Sequence, residues 1–319
     1  MDDRPRHNSA FWGIGWSASA VPLGWMLACL LVAQALGVAR AAGLPTNELE
    51  QRCWLSHTRE RTRVNLRETT SVEFSNLRSG YAVRTPFEVD FAVRGMGVAP
   101  AGVKLEGTGH HHILVNRAMP ASVTDTIPFD DSHRHFGKGQ TGTLLDLPPG
   151  KHRLRLLFAD HEHRPHFVFS REIEVQVRGS RSATPRPRID PANFAATCEA
   201  WYQDELSTPP PPSEPLRIMN VRDNEPLTSP FNLRLGVNGF GICATGAKAE
   251  QTGRFVLDLL DAGTRRTVQT FDLKNGATQV NVFAGIGSYV ARLRLVGANG
   301  ADLLPATETP LRVTREDTL

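Results

Sequence analysis

An internal repeat constrains the fold of this chain more than any other feature. Residues 76–109 align with residues 220–253 without a gap. The two copies share small, polar and turn-forming residues at matching positions: Asn76 and Asn220, Pro86 and Pro230, Gly95 and Gly239, Gly97 and Gly241, Gly109 and Gly253. Further along, residues 153–156 match residues 292–295. Agreement over this length indicates a duplicated unit, so we expect the same fold in both halves.

Each half contains short segments in which apolar and polar residues alternate, with glycine and proline between them. The clearest segments are 87–93, 152–158 and 172–177 in the first half, and 231–237, 268–273, 279–283 and 311–314 in the second. Alternation with period two is typical of antiparallel strands that bury one face. About seven such strands per half would suit an immunoglobulin-like sandwich. We therefore predict an all-β fold of two tandem immunoglobulin-like β-sandwich domains, with short helical segments before each.

The chain of 319 residues is long enough for two domains with separate cores. Asp190 with Pro191 predicts the start of a helix, and residues 45–55 have the character of an earlier counterpart. Four prolines at 209–212 predict a stiff connector. The predicted organisation is a signal peptide or N-terminal anchor at 1–41, a short helical lead-in at 42–71, a histidine-rich β-sandwich at 72–178, a Pro-rich linker with a short helix at 179–215, and a degenerate repeat β-sandwich without histidines at 216–315.

The N-terminal segment has the layout of a secretory signal. Arg4 and Arg6 precede an uncharged stretch from Ala10 to Ala39, and Ala39 and Ala41 supply the small residues of a cleavage site. This layout predicts export by a Sec-type signal to the periplasm or cell envelope. The stretch is also long enough to span a bilayer, so an uncleaved N-terminal transmembrane anchor is the alternative. A membrane is a partner only in that second case.

Charge and cysteine content narrow the class of protein. The formal net charge is only +3 and no basic block stands out, so we expect no nucleic-acid partner. Export implies an oxidising compartment. Beyond the signal the chain holds Cys53, Cys198 and Cys243, an odd number that predicts one disulfide and one free thiol. All three pairings stay open at this point.

The histidines are concentrated in the first half, where they form pairs spaced by two. Nine of the eleven lie between His110 and His166. On a strand, residues i and i+2 project from the same face, so each pair presents two imidazoles together. Converging imidazoles are favoured ligands for copper and zinc. The candidate metal ligands are His110, His112, His133, His135, His161 and His163, with His166 in reserve.

Other residues near these pairs have expected supporting roles. Four carboxylates could orient the rings by accepting their second N–H group, or could be ligands themselves: Asp130, Asp131, Asp160 and Glu162. Met96 and Met119 lie nearby in sequence, and a thioether ligand would favour Cu(I). We expect His111 to pack rather than bind metal, because it points opposite to its two neighbours. A buried imidazole–carboxylate network and a pH-responsive site are the alternatives to metal binding.

The second copy of the repeat serves as an internal control for the histidines. It carries Arg254, Phe255 and Val256 where the first copy carries His110, His111 and His112, and it contains no histidine. The same framework is therefore expected to form without the cluster. This argues against a purely structural role for the histidines.

Several motifs of the first half resemble a bacterial domain-of-unknown-function family, family 4399. They are the glycine-rich run at 95–102, Gly109-His110-His111-His112, the run His135-Phe136-Gly137-Lys138-Gly139-Gln140-Thr141, Leu147-Pro148-Pro149-Gly150, and residues 160–166. The resemblance covers about residues 72–178 and implies an exported, β-rich domain. The family has no assigned activity, so the resemblance implies no mechanism. The second half keeps the glycine framework and lacks the histidine motifs.

These observations favour a periplasmic or cell-envelope protein that binds copper or zinc and has no catalysis of its own. Its expected partners are the metal ion and another envelope protein, which would dock on the histidine-free half. A metal-dependent oxidase or hydrolase, with Glu162 as general base, is one alternative. The chain has no Ser-His-Asp order and no His-Glu-x-x-His motif to support it. A structural or protein-binding β-sandwich module without metal is the other alternative.

Overall fold

The computed structural model describes residues 39–40, 42–66, 69–246 and 248–315. The predicted signal or anchor at 1–41 lies outside these residues, apart from a two-residue strand near its end. In the part of the chain that is described, no helix is long and apolar enough to cross a membrane.

The described residues form three α-helices and twenty strands. The helices are α1 (Glu48–Ser56), α2 (Thr58–Arg61) and α3 (Phe194–Leu206). The first strands are β1 (Ala39–Arg40), β2 (Ser71–Phe74), β3 (Ala82–Thr85), β4 (Phe87–Arg94), β5 (Gly97–Val98), β6 (Thr108–Val115), β7 (His133–Phe136), β8 (Gly142–Leu145), β9 (Gly150–Ala159), β10 (Pro165–Phe169) and β11 (Ile173–Ser180). The later strands are β12 (Leu216–Ile218), β13 (Pro226–Leu227), β14 (Phe231–Val237), β15 (Gly241–Ile242), β16 (Thr252–Asp261), β17 (Thr267–Asp272), β18 (Gln279–Val282), β19 (Gly287–Gly297) and β20 (Thr307–Val313).

The first half is a sandwich of two sheets. The larger sheet has the order β3-β11-β9-β6-β5, with β7 paired to β6 and β10 paired to β9. The smaller sheet has the order β2-β4-β8. Both sheets contribute to one apolar core, in which Phe87 and Phe91 of the smaller sheet lie with Ile113 and Leu156 of the larger one. Burial of these large side chains from both faces holds the two layers together.

The second half repeats most of these strand pairings. Its larger sheet runs β1-β20-β19-β16-β15, with β13 beside β20 and β17 beside β16, and its smaller sheet runs β12-β14-β18. Among the described strands, β1 has no counterpart in the first half and β10 has none in the second. In both halves the short strand that follows the Gly-x-Gly turn pairs in parallel with the next long strand. The prediction of an all-β sandwich fold is confirmed. The boundaries of the two domains remain a prediction, and one core cluster contains Val93, Val98 and Phe158 together with residues of the second half.

In the chain, α1 and α2 precede the first half, and α3 precedes the second half. Each of these two helical segments contacts the other half. The side-chain amide of Asn76, in the first half, donates to the carbonyl of Leu206 at the end of α3, at 3.0 Å. The amide of Asn220, in the second half, donates to the carbonyl of Arg61 at the end of α2, also at 3.0 Å. The two helical segments therefore cross over, and each one packs against the opposite sandwich.

A disulfide joins the two helical segments. It links Cys53 of α1 to Cys198 of α3, inside a small apolar cluster that also contains Trp54 and Trp201. The sequence left the pairing open, and the structure selects one of the three. Cys243 keeps a buried thiol, and burial raises its pKa.

Candidate metal centre

The site is built on strand β6, whose residues are all buried. Successive side chains of a strand point to opposite faces, so His110 and His112 share one face while His111 takes the other. His111 enters the sandwich core, where its ring lies 4.9 Å from the rings of both Phe91 and Phe158, centroid to centroid. His110 and His112 face outward from that core and are nevertheless fully buried. Other side chains must therefore cover them.

Two further histidines supply that cover. His135 lies opposite His112 on the paired strand β7. His163 comes from the turn between β9 and β10, where a left-handed backbone with φ of 65° aims its side chain back toward the sheet. One ring nitrogen from each of His110, His112, His135 and His163 lies within 4.8 Å of the others. Three separate segments of the chain thus bring four imidazoles to one point.

The spacing of the nitrogens suits a small metal ion. Nε2 of His110 lies 3.0 Å from Nε2 of His112 and 3.1 Å from Nδ1 of His163. A tetrahedral ion with metal–nitrogen bonds of about 2.0–2.1 Å holds its ligand atoms roughly 3.3 Å apart. These two distances are within a few tenths of an ångström of that spacing.

The electrostatics of the cluster favour neutral imidazole. Burial, reinforced by the neighbouring imidazoles, lowers the pKa of His110 to about 3 and that of His112 to about 2. Burial also lowers the pKa of His135, and His163 adds to the effect. Neutral imidazole is the form that binds a metal. The buried Nδ1 atoms of His110 and His112 have no hydrogen-bond partner among the described residues.

The other predicted ligands lie outside the cluster. Nδ1 of His133 lies 2.9 Å from Oδ1 of Asp130. Nε2 of His166 lies 3.2 Å from the carbonyl oxygen of Thr108. His161, in the turn after β9, is also outside the group of four nitrogens. The structure thus brings together His110, His112, His135 and His163 from the seven predicted residues, and leaves these three apart.

Of the acidic residues expected to orient the rings, Asp130 contacts His133, which lies outside the cluster, and the other three have other partners. Asp131 lies 3.5 Å from Arg134, and Glu162 forms an ion pair with Arg164 at 2.6 Å. Asp160 accepts hydrogen bonds from two backbone N–H groups of its own turn. Its charge partly offsets the lowering of the His110 pKa, so it acts on the cluster by electrostatics and by shaping the turn that carries His163.

The donor set contains no sulfur. Met96 packs against the core cluster of the second half, and Met119 packs beside Leu114 and Ile127. Neither belongs to the group of four nitrogens. A second group of metal-binding residue types brings Cys53 and Cys198 near His57, but the two sulfurs are joined in the disulfide.

Phe129 covers the cluster and was missed by the sequence analysis. Its ring centroid lies 4.6 Å from that of His135, 4.7 Å from that of His163 and 6.2 Å from that of His112. Its side chain is 57% exposed, so it separates the imidazoles from solvent while remaining at the surface. Phe129 lies in a long connection without periodicity, and its only sequence signal is an aromatic residue between two histidine groups.

In the second half, the positions equivalent to His110, His111 and His112 carry other residue types. Arg254 pairs with Asp272 at 2.6 Å, and Phe255 and Val256 are buried. The same strand position thus supports an ion pair in one half and the imidazole cluster in the other.

The fold and the site define a class of protein: a β-sandwich that brings four imidazoles together beneath an aromatic side chain. Residues 89–178 match the model of a family described as "Domain of unknown function (DUF4399)", which confirms the resemblance noted in the sequence. All four clustered histidines lie within the matched segment. No curated protein sequence matches the chain.

Several solved structures show some similarity to this chain. The first is dimeric latent PorU from Porphyromonas gingivalis, with 13% identity and a TM-score of 0.25, covering 78% of this chain and 20% of that one. The fibronectin(III)-like modules of CbhA from Clostridium thermocellum give 7% identity and a TM-score of 0.21 over 78% of this chain and 96% of theirs. CopC from Methylosinus trichosporium OB3b gives 13% identity and a TM-score of 0.20 over 31% of this chain and 93% of its own. The chain thus spans about a fifth of PorU, and similarities this low carry no argument about function.

Proposed function

We propose that this protein binds one copper or zinc ion through His110, His112, His135 and His163, and that it has no catalytic activity. One observation carries the proposal: four imidazoles from three segments of the first half converge within 4.8 Å, whereas the sequence of the second half contains no histidine. An imidazole–carboxylate network would need acidic partners for these rings. Asp131 and Glu162 pair with Arg134 and Arg164 instead.

The donor atoms indicate which oxidation states the site prefers. Four imidazole nitrogens with no thiolate or thioether suit divalent ions, whereas Cu(I) prefers sulfur. Zinc usually takes four such ligands in a tetrahedral arrangement. Cu(II) usually binds a given nitrogen site more tightly than zinc does, so metal supply in the cell would decide between them.

The proposed location is the periplasm or cell envelope. The N-terminal sequence has the layout of an export signal, and the Cys53–Cys198 disulfide suits an oxidising compartment. Another envelope protein docked on the histidine-free half is part of the same proposal. Its support is that Phe283 and Ile286 of that half are exposed by 60% and 65%.

Metal titration of the untagged protein tests the proposal. We expect the wild-type protein to bind about one equivalent of Zn²⁺ or Cu²⁺, and a His110→Ala/His112→Ala variant to lose more than about 100-fold in affinity. The matched control is His133→Ala/His161→Ala, which removes two histidines of the same segment outside the cluster. The control should bind like wild type. A wild-type protein that takes up neither ion would overturn the proposal, and so would equal losses in both variants.

A further inference from the structure

The loop that follows His135 reaches across to the second half of the molecule. Backbone N–H of Ile242, in β15, donates to the carbonyl of Gly139 at 2.7 Å. Gly139 has a φ of +79°, and a Cβ there would lie 2.2 Å from the carbonyl oxygen of Ile242. A Cβ on Gly241 would lie 1.6 Å from the carbonyl oxygen of Lys138. The two backbones therefore approach so closely that only glycine fits on either side.

The same loop determines where the His135 ring can lie. A Cβ on Gly137 would be 2.2 Å from Nε2 of His135 and 3.0 Å from the side chain of Ala101. The ring thus rests against the bare backbone of Gly137. The carbonyl of Gly137 accepts a hydrogen bond from the N–H of Ala101 at 2.9 Å, which fixes that backbone. Any shift of the loop would move the surface that supports the ring.

The second half has an equivalent loop that carries no histidine. Its Gly276 accepts a hydrogen bond from the N–H of Val98 at 2.9 Å. Gly276 has a φ of +78°, and a Cβ there would lie 2.5 Å from the carbonyl oxygen of Val98. Each half therefore holds a loop of the other in the same manner, and only one of the two loops leads from a residue of the imidazole cluster.

We propose that the second half completes the metal site by holding the 137–140 loop, so that Gly137 and Gly139 are positioning residues for His135. This inference rests on the proposed metal-binding function. It gives the histidine-free half a role in binding affinity: Ile242 and Gly241 hold the loop, the loop supports the His135 ring, and the ring supplies one of four ligands.

The test compares Gly139→Ala with Gly276→Ala, because both place a methyl group against the opposite backbone at nearly the same φ. We expect both variants to lower the melting temperature. Only Gly139→Ala should weaken Zn²⁺ binding, by about 10- to 100-fold, and change the visible spectrum of bound Co²⁺ away from four-coordinate. Undiminished affinity in Gly139→Ala, or an equal loss in both variants, would overturn the inference.

A milder variant keeps the test decisive if the alanine variants do not fold. Thr141 exchanges hydrogen bonds with the backbone of Val237 in β14, accepting from its N–H at 3.1 Å. Thr141→Val removes these hydrogen bonds and keeps the shape of the side chain. We expect it to weaken Zn²⁺ binding by about 2- to 10-fold. Wild-type affinity in Thr141→Val would count against the inference.

The inference is separated from the proposed function by a measurement without metal. The imidazole NMR resonances of His135 report the position of its ring in the metal-free protein. They should shift in Gly139→Ala and Thr141→Val and stay unchanged in Gly276→Ala, while those of His133 stay unchanged in all three. A wild-type protein that binds no metal would refute the proposed function alone. Unshifted His135 resonances would refute the role of the loop alone.

Discussion

His111 is the middle residue of a histidine triplet and has a different environment from both neighbours. Its ring is buried between Phe91 and Phe158 and has a weak interaction with the backbone of Gln140. Within the described part of the chain, neither ring nitrogen has a partner at normal hydrogen-bond geometry. Burial lowers its pKa to about 3. An unpaired buried polar atom costs free energy, so we expect His111 to stabilise this core less than an apolar ring of similar size would.

Replacement of His111 by phenylalanine should stabilise the protein, because the equivalent residue of the second half is the buried Phe255. We expect His111→Phe to raise the free energy of unfolding by about 1 kcal/mol by removing unpaired nitrogens from the core. Metal affinity should stay unchanged, since the side chain faces away from the cluster. Urea unfolding and zinc titration measure the two effects. Loss of metal binding in this variant would show that His111 belongs to the site.

The buried histidines also predict how stability depends on pH in the metal-free protein. His110 and His111 have folded-state pKa values of about 3, against 6.5 for an ordinary histidine. Above about pH 6.5 both states carry neutral rings. Below about pH 6.5, the unfolded chain binds protons that the folded protein does not bind. The free energy of unfolding therefore falls as the pH falls from about 6.5 toward 3.

Each buried histidine can contribute up to about 1.4 kcal/mol per pH unit in that window. Urea unfolding at about pH 7.5 and pH 5 measures the slope. His111→Phe should show a shallower slope than wild type, because one such group is absent. Equal slopes in the two proteins would mean that His111 has the same pKa in the folded and unfolded states.

At the scale of elements, two buried asparagines connect the helices to the strands. The Asn76 amide donates to the carbonyls of Glu88 and Leu206, and its Oδ1 accepts from the N–H of Asp90. Asn220 makes the same three kinds of bond with the carbonyls of Asn232 and Arg61 and the N–H of Arg234. Each side chain therefore joins a strand of its own half to a helix from the other.

Asn76→Ala and Asn220→Ala should cost similar amounts of stability. Each removes three hydrogen bonds and leaves buried backbone groups unpaired, so we expect a loss of about 2–4 kcal/mol in each case. Asn299→Ala is the control, because Asn299 accepts a single bond in a surface turn. That variant should change stability by less than about 0.5 kcal/mol. A loss confined to Asn76 or to Asn220 would contradict the equivalence of the two positions.

Strand periodicity predicted part of the site and failed where the chain leaves the strands. His110 and His112 share a face because they lie on β6, as the period of two requires. His133 and His135 are both on β7, yet the neighbouring Asp130 holds the His133 ring away from the cluster. His161 and His163 lie in a turn, where the i, i+2 relationship does not apply. The left-handed backbone at His163 depends on that turn, and the spacing of the two histidines does not predict it.

At the scale of the whole molecule, the disulfide closes a long loop of chain. Its cysteines are separated by 145 residues and join the two helical segments that cross between the halves. The alternating pattern predicted the sandwiches, but a crossing of helices leaves no mark in a local pattern. It depends on contacts between residues more than a hundred positions apart, such as Asn76 with Leu206.

Loss of this disulfide should destabilise the protein strongly. A cross-link of this length restricts the unfolded chain, and we expect Cys53→Ser/Cys198→Ser to lose about 2–5 kcal/mol. Metal affinity should change little, because none of the four clustered histidines belongs to the helix cluster. Urea unfolding with and without reductant measures the effect in wild type. An unchanged midpoint after verified reduction would contradict this role.

The crossing of the helices also sets the order in which the molecule can be completed during synthesis. Asn76 is made 130 residues before Leu206, its hydrogen-bond acceptor in α3. The last strand of the first sandwich, β11, ends at Ser180, so at about 5–20 residues per second the sandwich waits roughly 1–5 seconds until α3 is complete at Leu206. Asn220 has no such delay, because Arg61 is already present when it appears. The half that carries the imidazole cluster is therefore made first, but its structure is complete only when α3, which follows it in the chain, is present.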